Sequence, residues 1–157
     1  MTQEELDEIL LLHKKFLNNE EGGQRADLSY QDLFGLNLTQ TTLDEANCAG
    51  TNFFGVDVAG VSFQGADLAG ACFKDCSLRR CNFLGANLHK SDLRNTFMYL
   101  TRFDLADLSE ADLSSSFVAE TTAGHAVLDF INDAQSDFLT VINPDEVFET
   151  EPRDLLE

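Results

Sequence analysis

Basic residues are scarce in this chain, with 10 Lys and Arg against 28 Asp and Glu in 157 residues, for a formal net charge of -18. That balance argues against direct binding of nucleic acid or of an anionic membrane and favours solubility or a basic partner. No apolar run approaches the length of a membrane span. The acidic start, Met1 to Glu8, is followed by no apolar core of a signal peptide, so a cytoplasmic protein with reduced thiols is expected. The ingredients of catalysis are thin as well. His13, His89 and His125 are scattered, and no glycine-rich phosphate loop opens a helix. Cys48, Cys72, Cys76 and Cys81 contain no Cys-x2-Cys pair of the kind structural zinc sites use. No enzyme, cofactor or metal is expected.

What the chain does have is a five-residue beat from Ala26 to about Ala119. Val61-Ser62-Phe63, Ala66-Asp67-Leu68, Ala71-Cys72-Phe73, Cys76-Ser77-Leu78, Cys81-Asn82-Phe83, Ala86-Asn87-Leu88 and Ser91-Asp92-Leu93 show it clearly. A large apolar centre is preceded by two places by a small residue, with a short and usually polar residue between them. Seven of the 10 glycines (Gly35, Gly50, Gly55, Gly60, Gly65, Gly70, Gly85) fall two places after a centre, which marks a repeated corner. A period of five matches neither a helix nor a plain strand, so a repeat architecture is required.

These units resemble the pentapeptide-repeat family, whose consensus is Ala-(Asp/Asn)-Leu-X-X. Ala66-Asp67-Leu68, Ala86-Asn87-Leu88, Ala106-Asp107-Leu108 and Ala111-Asp112-Leu113 match it outright. The resemblance implies an all-β solenoid, a right-handed quadrilateral parallel β-helix in which four pentapeptides make one coil of twenty residues. A twenty-residue coil also has support from the residues themselves. Ala26, Ala46, Ala66, Ala86, Ala106 and Ala126 form an unbroken column, and Phe63, Phe83 and Phe103 form another beside Phe53 and Phe73. With side chains alternating across each short extended segment, centres and small residues point inward and the residues between them point out. In that phase Cys48, Cys76 and Cys81 are core filler and only Cys72 faces solvent. Outward positions such as Asn87 are read as tolerant of substitution.

Four segments follow. Residues 1–25 carry an apolar stripe at helical spacing (Leu6, Ile9, Leu10, His13, Phe16, Leu17), with Thr2 and Glu5 as a capping box and Gly22-Gly23 as the exit. This helix caps the open end of the coil, and His13 lies on its buried stripe. Residues 26–120 form about five coils. Residues 121–142 are a C-terminal cap, read as a short helix with Val127, Ile131, Ala134 and Phe138 at helical spacing; one more degenerate coil is the alternative. Residues 143–157 hold both prolines and six acidic residues against Arg153, and read as a mobile acidic tail.

Two surface features depart from a bland solenoid. Lys74, Arg79, Arg80, Lys90, Arg94 and Arg102 form a basic belt across the middle coils, for which cross-coil pairing with Asp75, Asp92 and Asp104 is the plain explanation. Phe97 and Phe117 fall on outward positions twenty apart, with Tyr99 and Leu100 beside Phe97. Such an apolar patch is ordinarily covered, here by the chain's own C-terminal segment, by a second copy in a homodimer or by another protein partner. The leading expectation is therefore a non-enzymatic interaction or scaffold protein. The alternative comes from the resemblance: some family members are similar in shape and charge to B-DNA and bind type II topoisomerases such as gyrase, and an acidic rod suits that role, although the basic belt interrupts its surface.

Overall fold

The structure is a computed structural model that describes residues 1–39, 41–129, 131, 132 and 136. Its body is a four-sided parallel β-helix that advances one coil every twenty residues. The centres of the first side are Leu28, Cys48, Leu68, Leu88 and Leu108, all fully buried, and Leu128 continues the column. Those of the second are Leu33, Phe53, Phe73, Leu93 and Leu113; of the third, Leu38, Val58, Leu78, Met98 and Val118; of the fourth, Leu43, Phe63, Phe83, Phe103 and Ala123.

Coils are joined by a repeating pair of backbone bonds. An outward residue donates its N–H to the small residue's carbonyl in the coil before, as Asn47 does to Ala26 at 2.9 Å, and its own carbonyl accepts from the preceding coil's centre, as from Leu28 at 2.7 Å. The bridges run unbroken on the first side, from Asp27 through Asn47, Asp67, Asn87 and Asp107 to Val127. Each side stays extended for only about three residues before the chain turns. Regular strands are consequently few among the described residues: β1, Phe97–Tyr99, and β2, Phe117–Ala119, paired in parallel on the third side.

Among the described residues, the corner residue two places after each centre adopts positive φ, and glycine is favoured there because it has no Cβ to clash. Other residue types are forced into the same conformation, among them Leu100 (φ 55) and Leu105 (φ 60), at a steric cost of about 1–2 kcal/mol each.

Inside the tube the aromatic columns stack. Phe53 lies 4.5 Å from Phe73, and Phe63 5.1 Å from Phe83, with nearly parallel rings. The two columns meet edge to face, as Phe63 and Phe73 do at 5.7 Å and 83°. Some polar small residues bond to the coil before, as Thr51 Oγ1 donates to the Leu28 carbonyl at 2.8 Å and Cys76 and Cys81 Sγ to those of Phe53 and Val58 at 3.0 Å, while Thr96 and Ser116 donate within their own coil.

Helix α1, Gln3–Leu17, starts with the expected capping box, in which Thr2 accepts from the Glu5 N–H and Glu5 accepts from the Thr2 N–H. It covers the first coil with Leu6 fully buried and uses polar groups to close the open ladder edge. The Gln3 side chain accepts from the Asn37 N–H at 2.8 Å, and buried His13 accepts the Ala26 N–H on Nδ1 at 3.1 Å.

At the other end the structure corrects the helical reading of Val127 and Ile131. Thr122, Val127 and Asn132 extend the ladder by pairing with Arg102, Asp107 and Asp112. The edge below offers ready-made donors and acceptors to a chain in phase, whereas a helix there would leave that edge open. The coil therefore runs past residue 120, and Ile131-Asn132, which departs from the consensus, still pairs as a repeat. Ala134, Phe138 and the tail at 143–157 lie outside the described residues.

Candidate interaction surface

The third side carries the aromatic patch. Its outward column runs Asn37, Asp57, Ser77, Phe97, Phe117, so two aromatic rings replace short polar groups where β1 and β2 pair. The Phe97 and Phe117 rings stack at 4.8 Å with planes 5° apart, yet remain 41% and 53% exposed. The Arg79 guanidinium sits 6.0 Å from the Phe97 ring centre, a distance at which the ring face attracts a cation. Tyr99 is half-buried and its hydroxyl donates to Glu120 Oε1 at 3.3 Å. Leu100 occupies the neighbouring corner with its side chain exposed.

The basic belt is spread around the rod. Lys90 reaches Glu110 across one coil at 3.4 Å. Arg94 grips Asp92 in its own coil with two bonds of 2.8 and 2.6 Å and approaches Asp112 at 3.9 Å, while Arg102 pairs with Asp104 at 2.9 Å. Asp92 and Asp104 are thus partners, but chiefly of an arginine in their own coil rather than across coils as expected, and Asp75 forms no ion pair among the described residues. Lys74, Arg79 and Arg80 also form none there. The Asp92 carboxyl is held below its usual range chiefly by the hydrogen bond from Arg94. Burial opposes the same effect at Asp104, where hydrogen bonds from Thr122 and Arg102 prevail.

The cysteines behave as packing groups. Cys48, Cys76 and Cys81 are buried and Cys72 is half-buried on the outward phase. Burial pushes the Cys48 and Cys81 thiols up to about 12 and the Cys76 thiol up to about 11, so all three are protonated at neutral pH. Among the described residues no group of His, Cys, Asp and Glu is placed to hold a metal ion. His89 Nδ1 lies 2.8 Å from Ser109 Oγ, with Glu110 3.9 Å from Nε2. This contact lies on an outer side of the coil, and the Ser109 side chain bonds to Asp107, so it lacks the recess a nucleophile needs. A cleft of about 440 Å³ between α1 and the first coil is lined by Leu10, Leu11, Leu17, Thr41, Asp7 and Lys14, again without a nucleophile beside a base.

Two features escaped the sequence reading. Outward Asp and Asn residues bond along the rod, Asn47 to Asp27 and Asn87 to Asp67 at 3.0 Å, so Asn87 is a working position rather than a tolerant one. Further exposed aromatic residues, Tyr30, Phe34 and Phe54, lie toward the N-terminal end, where Phe34 and Phe54 stack at 6.2 Å. A Cβ added at Gly50 would meet the Tyr30 ring at 2.6 Å. Tyr30, two places after a centre with Gly50 twenty later, and Phe34 and Phe54, twenty apart and each one place after a centre, are the signal that could have revealed this feature.

A four-sided coil with stacked interior columns and a helical cap defines the class, a right-handed quadrilateral β-helix. The chain belongs to the pentapeptide-repeat family: the family model for pentapeptide repeats matches in eight copies, over residues 24–60, 62–98 and 81–121. Among solved structures it is similar to HetL, a pentapeptide repeat protein involved in heterocyst differentiation regulation from the cyanobacterium Nostoc sp. strain PCC 7120. That likeness has 24% identity and a TM-score of 0.63, covering 71% of this chain and 61% of HetL. Rfr23 from the cyanobacterium Cyanothece 51142 shows 22% identity and a TM-score of 0.47 over 66% of this chain and 68% of its own. QnrB1, a plasmid-mediated fluoroquinolone resistance protein, shows 18% identity and a TM-score of 0.32 over 74% of this chain and 66% of its own. No curated protein matches the sequence. The chain spans about three fifths of HetL's length, and the likeness speaks to the fold. Proteins of this family are generally non-enzymatic structural or interaction proteins. No helix among the described residues is long and apolar enough to cross a membrane.

Proposed function

We propose that this chain is a non-enzymatic interaction rod that presents its third side, with Phe97, Tyr99, Leu100 and Phe117, to a protein partner. The observation that carries the reading is the exposed Phe97–Phe117 stack, on outward positions that the fold fills equally well with Asn, Asp or Ser. Apolar surface left in water costs about 25 cal/mol per Å², so retaining it there without a contact would be unfavourable. Arg79 over the Phe97 ring, with Arg80 next in sequence, adds positive charge to an otherwise acidic molecule and favours a partner with acidic as well as apolar groups. Free thiols suit a cytoplasmic setting. The test is co-purification from native lysate with the intact chain and with a Phe97→Ser, Phe117→Ser chain. A partner held by the first and lost by the second, with circular dichroism unchanged, supports the reading. A partner held equally by both removes the third side from it.

A second reading, DNA mimicry toward gyrase, is favoured by the net charge of -18 and by the outward carboxylates of the first side. It predicts inhibition of supercoiling that weakens as salt screens the charge. Absence of inhibition at micromolar protein removes it for gyrase.

A further inference from the structure

We propose that the third side is the docking site of the chain's own acidic C-terminal sequence, Asp145-Glu146-Val147-Phe148-Glu149. This inference rests on reading that side as a contact surface.

Charge is the first argument. Arg79 lies over the Phe97 ring, Arg80 bonds through its N–H to the Tyr99 carbonyl, and Lys74 is in the same coil; these three cations form no ion pair among the described residues, whereas Lys90, Arg94 and Arg102 do. A segment that alternates carboxylates with Val147 and Phe148 offers anions for the arginines and an apolar ring for the stack. The second argument is width. One side of the coil is about three extended residues, or about 10 Å, across, and a stable dimer buries about 800 Å² on each partner. A narrow strip suits an extended segment better than a second folded rod. The third argument is position. Ser136, the last described residue, follows Ser116 by twenty places and so holds the phase of the third side. Phe148 comes 12 residues later, a reach of up to about 40 Å, whereas the two rings lie within about 10 Å along the rod. A tether of this kind supplies a local concentration on the order of millimolar, so weak contacts suffice.

Hydroxyl-radical footprinting of the full chain, read by mass spectrometry at Phe97 and Phe117, tests the inference. Phe148→Ser and, separately, Arg79→Glu with Arg80→Glu are each expected to raise labelling of both rings several-fold. Labelling of Phe34 and Phe54 should stay unchanged, and the protection should be independent of protein concentration. Equal labelling in the intact chain and both variants overturns the proposal, as does protection that fades on dilution, which assigns the face to a second copy. Should footprints respond while the lysate partner ignores Phe97→Ser with Phe117→Ser, the tail docks but the contact-face reading fails.

Discussion

The first and third sides of the coil share one backbone ladder and carry opposite outward columns. On the first side, Asp27, Asn47, Asp67, Asn87 and Asp107 alternate, and each Asn donates to the Asp one coil below it. On the third, the column turns aromatic at Phe97 and Phe117 while the ladder bonds continue, with Phe97 N–H on the Cys76 carbonyl at 3.1 Å and Phe117 N–H on that of Thr96 at 2.9 Å. The inward residues thus build the rod, and on the third side the outward column changes from polar to aromatic without breaking the ladder. A side that departs from the polar pattern is therefore informative about contact.

The comparison is tested hardest by pairing an inward with an outward phenylalanine. Phe63→Ala, at a fully buried ring stacked on Phe83, is expected to cost about 3–5 kcal/mol. Equal losses for Phe63→Ala and Phe117→Ala in urea denaturation would show that the two classes of position do not differ. Ala86→Phe adds a ring to the tube beside Phe83 and should destabilise by about 1–3 kcal/mol through overpacking. A variant that melts with the wild type would mean the alanine column is not confined.

Asn87→Asp sharpens the account of the first side. It removes the donor to Asp67 and lines up carboxylates at 67, 87 and 107, so a loss of about 1 kcal/mol is expected. The repulsive share should shrink as salt is added, and a salt-independent loss would reject like-charge repulsion as a cause.

The cap gives a pH prediction. Burial, the largest influence, lowers the His13 pKa; proximity to Arg25 acts in the same direction, while Asp44 and Glu45 oppose it. The folded state therefore takes up a proton less readily than the unfolded chain. Stability from neutral His13 is present in full above its ordinary pKa of about 6.5 and is lost as pH falls through the lowered folded value. His13→Gln cannot titrate, so its melting-temperature gap to the wild type should narrow between about pH 7.5 and pH 5.5. A constant gap would place the acid sensitivity elsewhere.

The smallest effect belongs to the third side. Phe117→Ser removes a half-exposed ring and one stacking contact, worth about 0.5–1.5 kcal/mol. A loss as large as that of Phe63→Ala would mean that the ring is structural rather than presented.

Much of this architecture was legible before any coordinates. The five-residue beat sorts residues into inward and outward by local sterics, because side chains alternate along an extended segment and a left-handed corner resets the count. That local rule placed Leu68, Phe83 and Ala86 inside, Cys72 on the outward phase, where it is half-buried, and the Phe97–Phe117 pair on one side, and helical spacing with a capping box placed α1. Contacts between outward groups are a different matter, since they depend on which side chains meet one coil away and on the rotamers they adopt. Hence Arg94 turned to Asp92 in its own coil, Asn87 reached Asp67, and Phe34 stacked on Phe54 near the N-terminal end. Val127 and Ile131 show the same division. Their spacing suits a helix, but the open edge at Asp107 and Asp112 supplied backbone partners that a helix would have left unpaired, and the ladder continued through Asn132. The repeat by itself determined the rod and the facing of its residues, because those follow from short-range geometry. Tertiary structure decided the outward pairings and the end of the ladder, because those follow from groups brought together only when the coils stack.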